Sequence, residues 1–468
     1  MRKLNVHAGW ENDAIIGTVY IEEIRGKEKF SFEYESEWLM QHENLVLDPD
    51  ILNRTGLQAV PYPKEIFGFL SDITPNRWGR KLIQRYFAET ENTNGNQPSP
   101  RKRVLESDYI CGVSDFTRQG GIRLSENGHF LSQEEQVPPI EPSAPPVTKL
   151  KELENAAAML ERHDENVKKW LKQLINPGSS LGGARPKANV QNTDGSLWIA
   201  KFPSKNDDID VGAWEMVVHD LAKMCGLNVP DAALLKLSGE SNEFSLYGST
   251  FMVKRFDRGE NGARIHFMSA MTMLSQTDNS DDLSSYLDIA DKIDRQRGSH
   301  YKEDLLELWH RIVFNICVSN TDDHLRNHGF LLNNDTWELS PAYDINPNPD
   351  SDWMQLAVDF NSTAKDLHLA LDTCSFYYLD KETALQEIKK IQDTVAKNWQ
   401  VFADRYNIPK AEQNRMKAAF AQADTVLTVK EDKEVVVEKE STKETSKIKY
   451  HAENSPKFQL RGMNRHKN

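Results

Sequence analysis

The chain has 468 residues, of which 27% are charged and 38% hydrophobic, a composition typical of a soluble protein with room for about three domains. Its net charge of −14 argues against a general nucleic-acid-binding surface. The four cysteines form no C-x-x-C pair, the N-terminus lacks an apolar secretion segment, and no apolar run approaches the roughly 18 residues of a membrane span. We therefore expect a cytoplasmic protein with buried thiols.

The N-terminal 60 residues or so predict strands separated by turns. The segments 15–21 and 30–34 are rich in β-branched and aromatic residues, which are enriched in β-strands. A helix is then predicted from near Pro75, because Trp78, Leu82 and Ile83 recur at helical spacing. The first region is therefore predicted to be rich in strands, with a helix following the sheet.

Changes in composition divide the chain. A proline-rich stretch suits an extended connector, and the residues from about 428 onward are so charged and polar that we expect them to be disordered. No internal repeat is found. The predicted divisions are an N-terminal domain at 1–136, a connector at 137–149, a second domain at 150–427 with a boundary between two lobes near 258, and a tail at 428–468.

A glycine-rich turn, Gly178–Lys187, leads into a predicted strand. Backbone amides at such a turn can approach phosphate oxygens because no side chain intervenes. The spacing of Gly178 and Gly183 resembles a P-loop, but Ala184 stands where that motif needs lysine. Taken alone, the turn is equally consistent with a hairpin and with a phosphate-binding loop.

The next predicted strand, Leu197–Phe202, carries Lys201, and Glu215 lies in the first turns of the helix that follows. A lysine on a strand followed by a glutamate on the next helix is the arrangement by which protein kinases orient a lysine toward the phosphates of ATP. An ordinary surface salt bridge is the alternative. Lys187 is a rival phosphate ligand, and the sequence does not separate the two lysines.

The segment Phe251–Asp257 predicts another strand that ends in polar residues. In a two-lobed kinase such a strand leads into the hinge, where backbone groups meet adenine. We expect Lys254 and Phe256 to supply those groups and Asp257 to reach a ribose. An ordinary core strand capped by an aspartate is the alternative.

A strongly apolar helix is predicted before residue 318, and a polar loop, a hairpin at 329–339 and a further acid, Asp344, follow it. Protein kinases present a base and a metal-binding amide as D-x-x-x-x-N. Asp322 and Asn327 have this spacing, whereas Asp323 does not. We therefore predict Asp322 as the base, with Asn327 and Asp344 as oxygen ligands of Mg²⁺.

Together these segments resemble the HipA family of bacterial Ser/Thr kinases, the toxins of toxin–antitoxin modules. The resemblance covers about residues 1–425 and includes two stretches of the N-terminal region, 69–80 and 109–121. In the second domain it rests on these segments: Ser180–Lys187, Ile199–Phe202, Glu215, Val253–Arg258, Asn320–Asn327 and Pro341–Asp344.

The resemblance implies an α+β, two-lobed protein-kinase-like fold with a β-rich N-terminal accessory domain and a largely helical C-lobe. It implies ATP and Mg²⁺ as cofactors and autophosphorylation of Ser180 in the glycine loop, with Ser179 as the neighbouring candidate. It also implies a separate helix-turn-helix antitoxin, DNA contact only through that antitoxin, and an aminoacyl-tRNA synthetase as the protein substrate. The residues expected around ATP are Ser180, Gly182, Gly183, Lys187, Lys201, Glu215, Lys254, Phe256, Asp257, His324 and Tyr343.

Three other functions stay open at this point. A non-toxin or small-molecule kinase would need the same acids and lysines. A degenerate kinase acting as a corepressor is disfavoured because every expected catalytic residue type is present. A metal hydrolase built on His324 and His328 is weaker, because Leu325 occupies the position that H-E-x-x-H gives to glutamate.

Overall fold

The structure is a computed structural model of the whole chain. The residues that it describes are 1–75, 77–91, 103–131, 144–162, 171, 174, 183–237, 247–278 and 283–427. Predictions for Ser179, Ser180, Gly182, most of the connector and the tail at 428–468 lie outside the described residues.

The N-terminal region forms a six-stranded sheet with the order β4-β3-β2-β1-β5-β6. Alternate residues of its long strands are buried, as expected for a sheet with one covered face. Strands and helices of this region are β1 (Arg2–Ala8), β2 (Ala14–Ile24), β3 (Lys27–Tyr34), α1 (Ser36–Gln41), β4 (Gln58–Ala59), α2 (Gly68–Asp72), α3 (Arg77–Glu91), α4 (Glu106–Cys111), β5 (Ile122–Glu126) and β6 (His129–Phe130).

The N-lobe is a four-stranded antiparallel sheet with the order β7-β8-β10-β9, so that β7 is an edge strand. A helix packs against β9 and β10 and extends into the core of the C-lobe through Trp214 and Val217. The elements are α5 (Leu150–Arg162), β7 (Lys187–Gln191), β8 (Leu197–Lys201), α6 (Val211–Met224), β9 (Ala232–Leu235) and β10 (Thr250–Lys254).

The C-lobe is mainly helical and contains a three-stranded sheet with the order β11-β12-β13. Its central helix, α9, is buried over most of its length because apolar residues occupy almost every face. The elements are β11 (Phe267–Ser269), α7 (Ala270–Met273), α8 (Tyr286–Gln296), α9 (Tyr301–Val318), β12 (Gly329–Asn333), β13 (Thr336–Leu339), α10 (Leu367–Asp372), α11 (Lys381–Arg405) and α12 (Lys410–Met416).

Three apolar cores hold these parts together. One lies under the N-terminal sheet, and one fills the C-lobe and includes α6. The third combines Trp78 and Leu82 of α3 with Ala188 and Val190 of β7, so it belongs to both the N-terminal region and the N-lobe. The accessory region is therefore packed into the kinase-like part of the chain and shares a core with it.

The predicted two-lobed α+β architecture is confirmed, including the helix before residue 318 and the hairpin after it. The strand predicted at Phe251–Asp257 is shorter, since β10 ends at Lys254. All four cysteines are free, and three of them are buried. Among the described residues, no helix is long and apolar enough to cross a membrane.

Candidate functional site

Lys201, at the end of β8, is bonded to acids from two other elements. Its ammonium donates to Glu215 Oε1 on α6 and, at 2.6 Å, to Asp344 Oδ1. Glu215 is only 4% exposed because α6 packs against the sheet, whereas 37% of the Asp344 side chain is exposed. One carboxylate therefore anchors the lysine from within the lobe, and the other faces the cleft.

The charges in this cluster reinforce one another. Burial would lower the pKa of the Lys201 ammonium, but the Asp344 and Glu215 carboxylates outweigh it and raise the pKa. The Lys201 ammonium in turn holds the pKa of Asp344 well below its usual range. At neutral pH both groups are charged, as binding of phosphate and of a divalent cation requires.

Lys187 is the register partner of Lys201 across β7 and β8, so the two side chains lie on one face of the sheet. Its amino group lies 2.8 Å from where a Cβ on Gly183 would be, and Gly183 has φ of +75°. The positive φ therefore favours glycine at 183, whereas the end of the flexible Lys187 side chain could shift to make room for a Cβ. Burial lowers the pKa of Lys187 to about 8, against the attraction of Asp344. No described residue forms a hydrogen bond with this amino group, which leaves it available to an anion.

The polar loop after α9 exposes Asp322 and buries the residues on either side of it. The Asn327 side chain donates from Nδ2 to the Asp322 backbone oxygen at 3.1 Å. Asn327 Oδ1 has no partner among the described residues, so the amide presents its oxygen. The loop thus offers one free carboxylate and one free amide oxygen, five positions apart in the sequence.

Asp323, the neighbour of Asp322, is buried and hydrogen-bonded within the protein interior. It is 3% exposed, and its Oδ2 accepts bonds from three buried groups. These are Tyr286 at 2.5 Å, Asn315 at 2.8 Å and His328 at 2.8 Å. Asp323 therefore holds the loop onto α8 and α9, and Asp322 is left free.

The loop that carries Asp344 is tied directly to the loop that carries Asp322. The Asn346 backbone N–H donates to Asn320 Oδ1 at 3.2 Å, and Asn348 Nδ2 donates to Thr321 Oγ1 at 2.8 Å. Asp344 itself has φ of +59°, an uncommon conformation for a residue with a Cβ, which such surrounding bonds can stabilise. The structure therefore places the loops of the two acids side by side.

Aromatic side chains link the predicted adenine side to the acid loop. The rings of Phe256 and Tyr343 have centroids 5.4 Å apart, and Tyr343 donates its hydroxyl hydrogen to the Arg326 backbone oxygen at 2.7 Å. The Lys254 backbone N–H is already bonded to Asp231 O. Phe256 therefore lies against Tyr343, and its contact with adenine stays a prediction, while the Lys254 backbone N–H is already bonded within the N-lobe.

Asp257 differs from its prediction. Its carboxylate is buried and accepts bonds from Arg255 at 2.6 and 2.9 Å, from Arg258 at 3.0 Å and from the Gly120 backbone N–H at 2.7 Å. Burial would raise its pKa, but the two guanidinium groups outweigh it and keep the pKa well below its usual range. Three of these bonds go to Oδ2 and one goes to Oδ1, and the side chain is buried, so the structure favours a structural role over the predicted ribose contact. Asp257 instead joins the end of β10 to the N-terminal region.

Several site residues escaped the sequence reasoning. Arg255 and Arg258, which hold Asp257, and Asn346 and Asn348, which join the two loops, were not predicted. The alternation of arginine and aspartate after an apolar strand was the available signal for the first pair.

His324, which was predicted to lie near ATP, is half-buried in the loop near Asp344, and its Nδ1 has no partner among the described residues.

The donor set fits a magnesium–nucleotide complex. Asp344 is ionised and partly exposed, and Asn327 presents an amide oxygen, which are the hard ligands that Mg²⁺ prefers while it keeps several waters. The described residues contain no cluster of three or more His, Cys, Asp or Glu side chains that could hold a metal alone. The hydrolase alternative therefore gains no support from the described residues, although His324 and His328 each keep a ring nitrogen without a partner among them.

The fold and the site define the class first: a two-lobed, kinase-like fold with an accessory N-terminal region. The structure of HipA from Shewanella oneidensis MR-1, solved as a toxin–antitoxin complex with HipB and operator DNA, matches with a TM-score of 0.59 at 16% identity. The match covers 90% of this chain and 96% of that one. At this level of identity the likeness concerns the fold.

Residues 179–399 match the family model of the HipA-like C-terminal domain. It is also similar to a candidate kinase, Y4dM, of Sinorhizobium fredii, with 28% identity over 247 residues. A candidate kinase of Haemophilus influenzae is 28% identical over 196 residues. These matches cover 51% and 37% of this chain and span only 58% and 54% of the two relatives.

Proposed function

We propose that the chain is an ATP- and Mg²⁺-dependent Ser/Thr protein kinase of the HipA type. The observation that carries the proposal is the bond from Lys201 to both Glu215 and Asp344, beside a loop in which Asp322 is exposed. A kinase needs a lysine for the phosphates, an acid to orient it, an acid for the metal and a base for the hydroxyl. The names of the relatives and the match of residues 179–399 to the model of the HipA-like C-terminal domain support the same activity.

In the proposed mechanism Lys201 and Lys187 bind the phosphates of ATP from the N-lobe sheet, and Glu215 keeps Lys201 in place. Asp344 and Asn327 would hold the magnesium ion, which supplies charge neutralisation on the transferred phosphoryl group. Asp322 accepts the proton of the serine or threonine hydroxyl as the oxygen attacks the γ-phosphorus, and the bond from that phosphorus to the bridging oxygen breaks so that ADP leaves. The chain itself would lower the barrier mainly by positioning and by fixed charge.

The finer parts of the proposal concern regulation and partners. We propose that Ser180 is an autophosphorylation site, since a dianionic phosphate in the glycine loop would repel the phosphates of ATP. We propose a separate helix-turn-helix antitoxin as the partner, by analogy with the HipA–HipB–DNA complex. A protein substrate, with an aminoacyl-tRNA synthetase as the first candidate, completes the proposed toxin activity.

The test is transfer of labelled γ-phosphate from ATP to protein in a cell extract. Wild-type chain should label itself and at least one other protein. Asp322→Ala should bind ATP with unchanged affinity but transfer no label, because only the proton acceptor is lost. Asp372→Ala, which removes an exposed acid at the end of α10, is the matched control and should behave as wild type. Undiminished labelling by Asp322→Ala would refute the assigned base.

A further inference from the structure

The proposed mechanism does not use two N-terminal stretches, 69–80 and 109–121, that contact the kinase-like lobes. One of them, α2 with the start of α3 (residues 68–75 and 77–80, here called the bracket), contacts both lobes at once. We propose that the bracket is a positioning element of the phosphate site and that Trp78 and Asp72 are its two contact points. The inference rests on the proposed function, because it concerns how the same site is held in place.

Trp78 is the contact with the N-lobe. Its backbone N–H donates to Gly183 O at 3.1 Å and its indole Nε1–H donates to Lys187 O at 3.0 Å. The side chain is 4% exposed and packs in the core that contains Ala188 and Val190 of β7. A single buried tryptophan thus bonds to the backbone of Gly183, in the glycine turn, and to the backbone of Lys187, the proposed phosphate ligand.

Asp72 is the contact with the C-lobe. Its carboxylate accepts from the Ser269 hydroxyl at 2.6 Å and from the Ser269 backbone N–H at 2.9 Å. Nearby, α2 approaches α7 so closely that a Cβ on Gly68 would lie 2.6 Å from Thr272 Cγ2. Ser269 is the register partner of Gly329, two residues beyond Asn327, so this contact reaches the base of the catalytic loop.

The position of the bracket explains why it matters for the site. On one side of the N-lobe sheet α6 packs against β9 and β10 and enters the C-lobe core. Lys187 is on β7, at the opposite edge of the same sheet. The bracket supplies a link between the lobes at that edge. It therefore sets where Lys187 and Gly183 stand relative to Asp344 and the catalytic loop.

Two conservative substitutions test the bracket at its two ends. Trp78→Phe removes the indole donor but keeps an aromatic ring, and Asp72→Asn removes the charge but keeps the shape. Each should weaken binding of a non-hydrolysable ATP analogue about tenfold, as expected when one buried hydrogen bond is lost. The affinity of the double variant for the analogue should be no lower than that of the single variant with the lower affinity. The reason is that a bracket that has lost its contact at one end no longer positions β7. Trp198→Phe on β8, whose indole bonds only locally to Ser196 among the described residues, is the control and should change affinity less than twofold.

A second readout does not depend on nucleotide. Hydrogen exchange at the amides of β7 should become about tenfold faster in both Trp78→Phe and Asp72→Asn, although Asp72 touches the other lobe, and it should be unchanged in Trp198→Phe. The proposed role of the bracket would be refuted if the losses of affinity in the two single variants multiplied in the double variant. It would also be refuted if Asp72→Asn left hydrogen exchange in β7 unchanged. If wild-type chain bound no ATP analogue, the proposed function would fail, and the exchange measurement would still decide on the bracket.

Discussion

Two clusters of opposite charges include residues of the N-lobe, and they differ in how completely their acids are bonded. In the cluster of Lys201, Glu215 and Asp344, one acid is 37% exposed toward the cleft. In the cluster of Arg255, Asp257 and Arg258, every side chain is 6% exposed or less, and Asp257 also accepts from the Gly120 backbone. An open acid can exchange its partner for a ligand, whereas a fully bonded one stabilises the fold. The comparison predicts that the first cluster governs activity and the second governs stability.

The largest effect is expected at the open acid. Asp344→Asn should lower phosphate transfer about 10³-fold, since a charged group at the reacting phosphates is lost. The unfolding midpoint should change little, because Lys201 keeps Glu215 as its partner. Steady-state kinetics together with urea unfolding measure both quantities. A large loss of stability with little loss of transfer would reverse the distinction between the clusters.

Asp257→Asn should have the opposite profile. Removing this charge leaves two buried guanidinium groups facing each other without a counter-ion, at a cost of about 4 kcal/mol in the free energy of unfolding. Transfer measured at low temperature, where the variant is still folded, should stay within a few-fold of wild type. If instead activity falls more than a hundredfold while the unfolding midpoint is unchanged, Asp257 touches the nucleotide and the predicted ribose contact is restored.

The neighbouring acids of the catalytic loop sharpen the same comparison. Asp323→Ala leaves the donors Tyr286, Asn315 and His328 unpaired in the interior and should cost about 3 kcal/mol of stability. Asp322→Ala removes an exposed side chain and should leave the unfolding free energy within about 0.5 kcal/mol of wild type. Chemical denaturation of the two variants measures both unfolding free energies. A larger loss of stability in Asp322→Ala than in Asp323→Ala would contradict the assigned roles.

The smallest expected effect is a pH dependence of nucleotide affinity. Burial lowers the pKa of Lys187 to about 8 in the free chain. Because bound phosphates favour the ammonium form, affinity should be constant below pH 8 and fall by at most tenfold per pH unit above it. Lys187→Arg, which stays charged, should remove the dependence. Calorimetric titrations at several pH values measure it, and a flat profile for wild type would show that Lys187 does not face the phosphates.

Relations between site residues that are close together in the sequence could be predicted from it. The five-residue spacing selected Asp322 over Asp323, and the structure exposes the first and buries the second. The strand–helix order likewise paired Lys201 with Glu215, which lie 14 residues apart. Such relations are fixed by one loop or by one strand–helix unit, so the pattern of residue types is sufficient to recognise them.

Contacts between distant segments were not predictable in the same way. The Asp257 carboxylate accepts from Gly120, 137 residues away, and the Trp78 indole donates to Lys187, 109 residues away. Neither periodicity nor motif spacing encodes such a partner, and an aspartate after a strand was therefore assigned to a ligand. The roles predicted for Ser180 and Gly182 stay predictions, since both lie outside the described residues.

The most direct measurement is a crystal structure of the chain with a non-hydrolysable ATP analogue and Mn²⁺, in which anomalous scattering locates the metal. We expect a peak within about 2.3 Å of an Asp344 carboxylate oxygen and of Asn327 Oδ1, with the analogue phosphates against Lys201 and Lys187. A metal bound elsewhere, or phosphates that contact neither lysine, would contradict it.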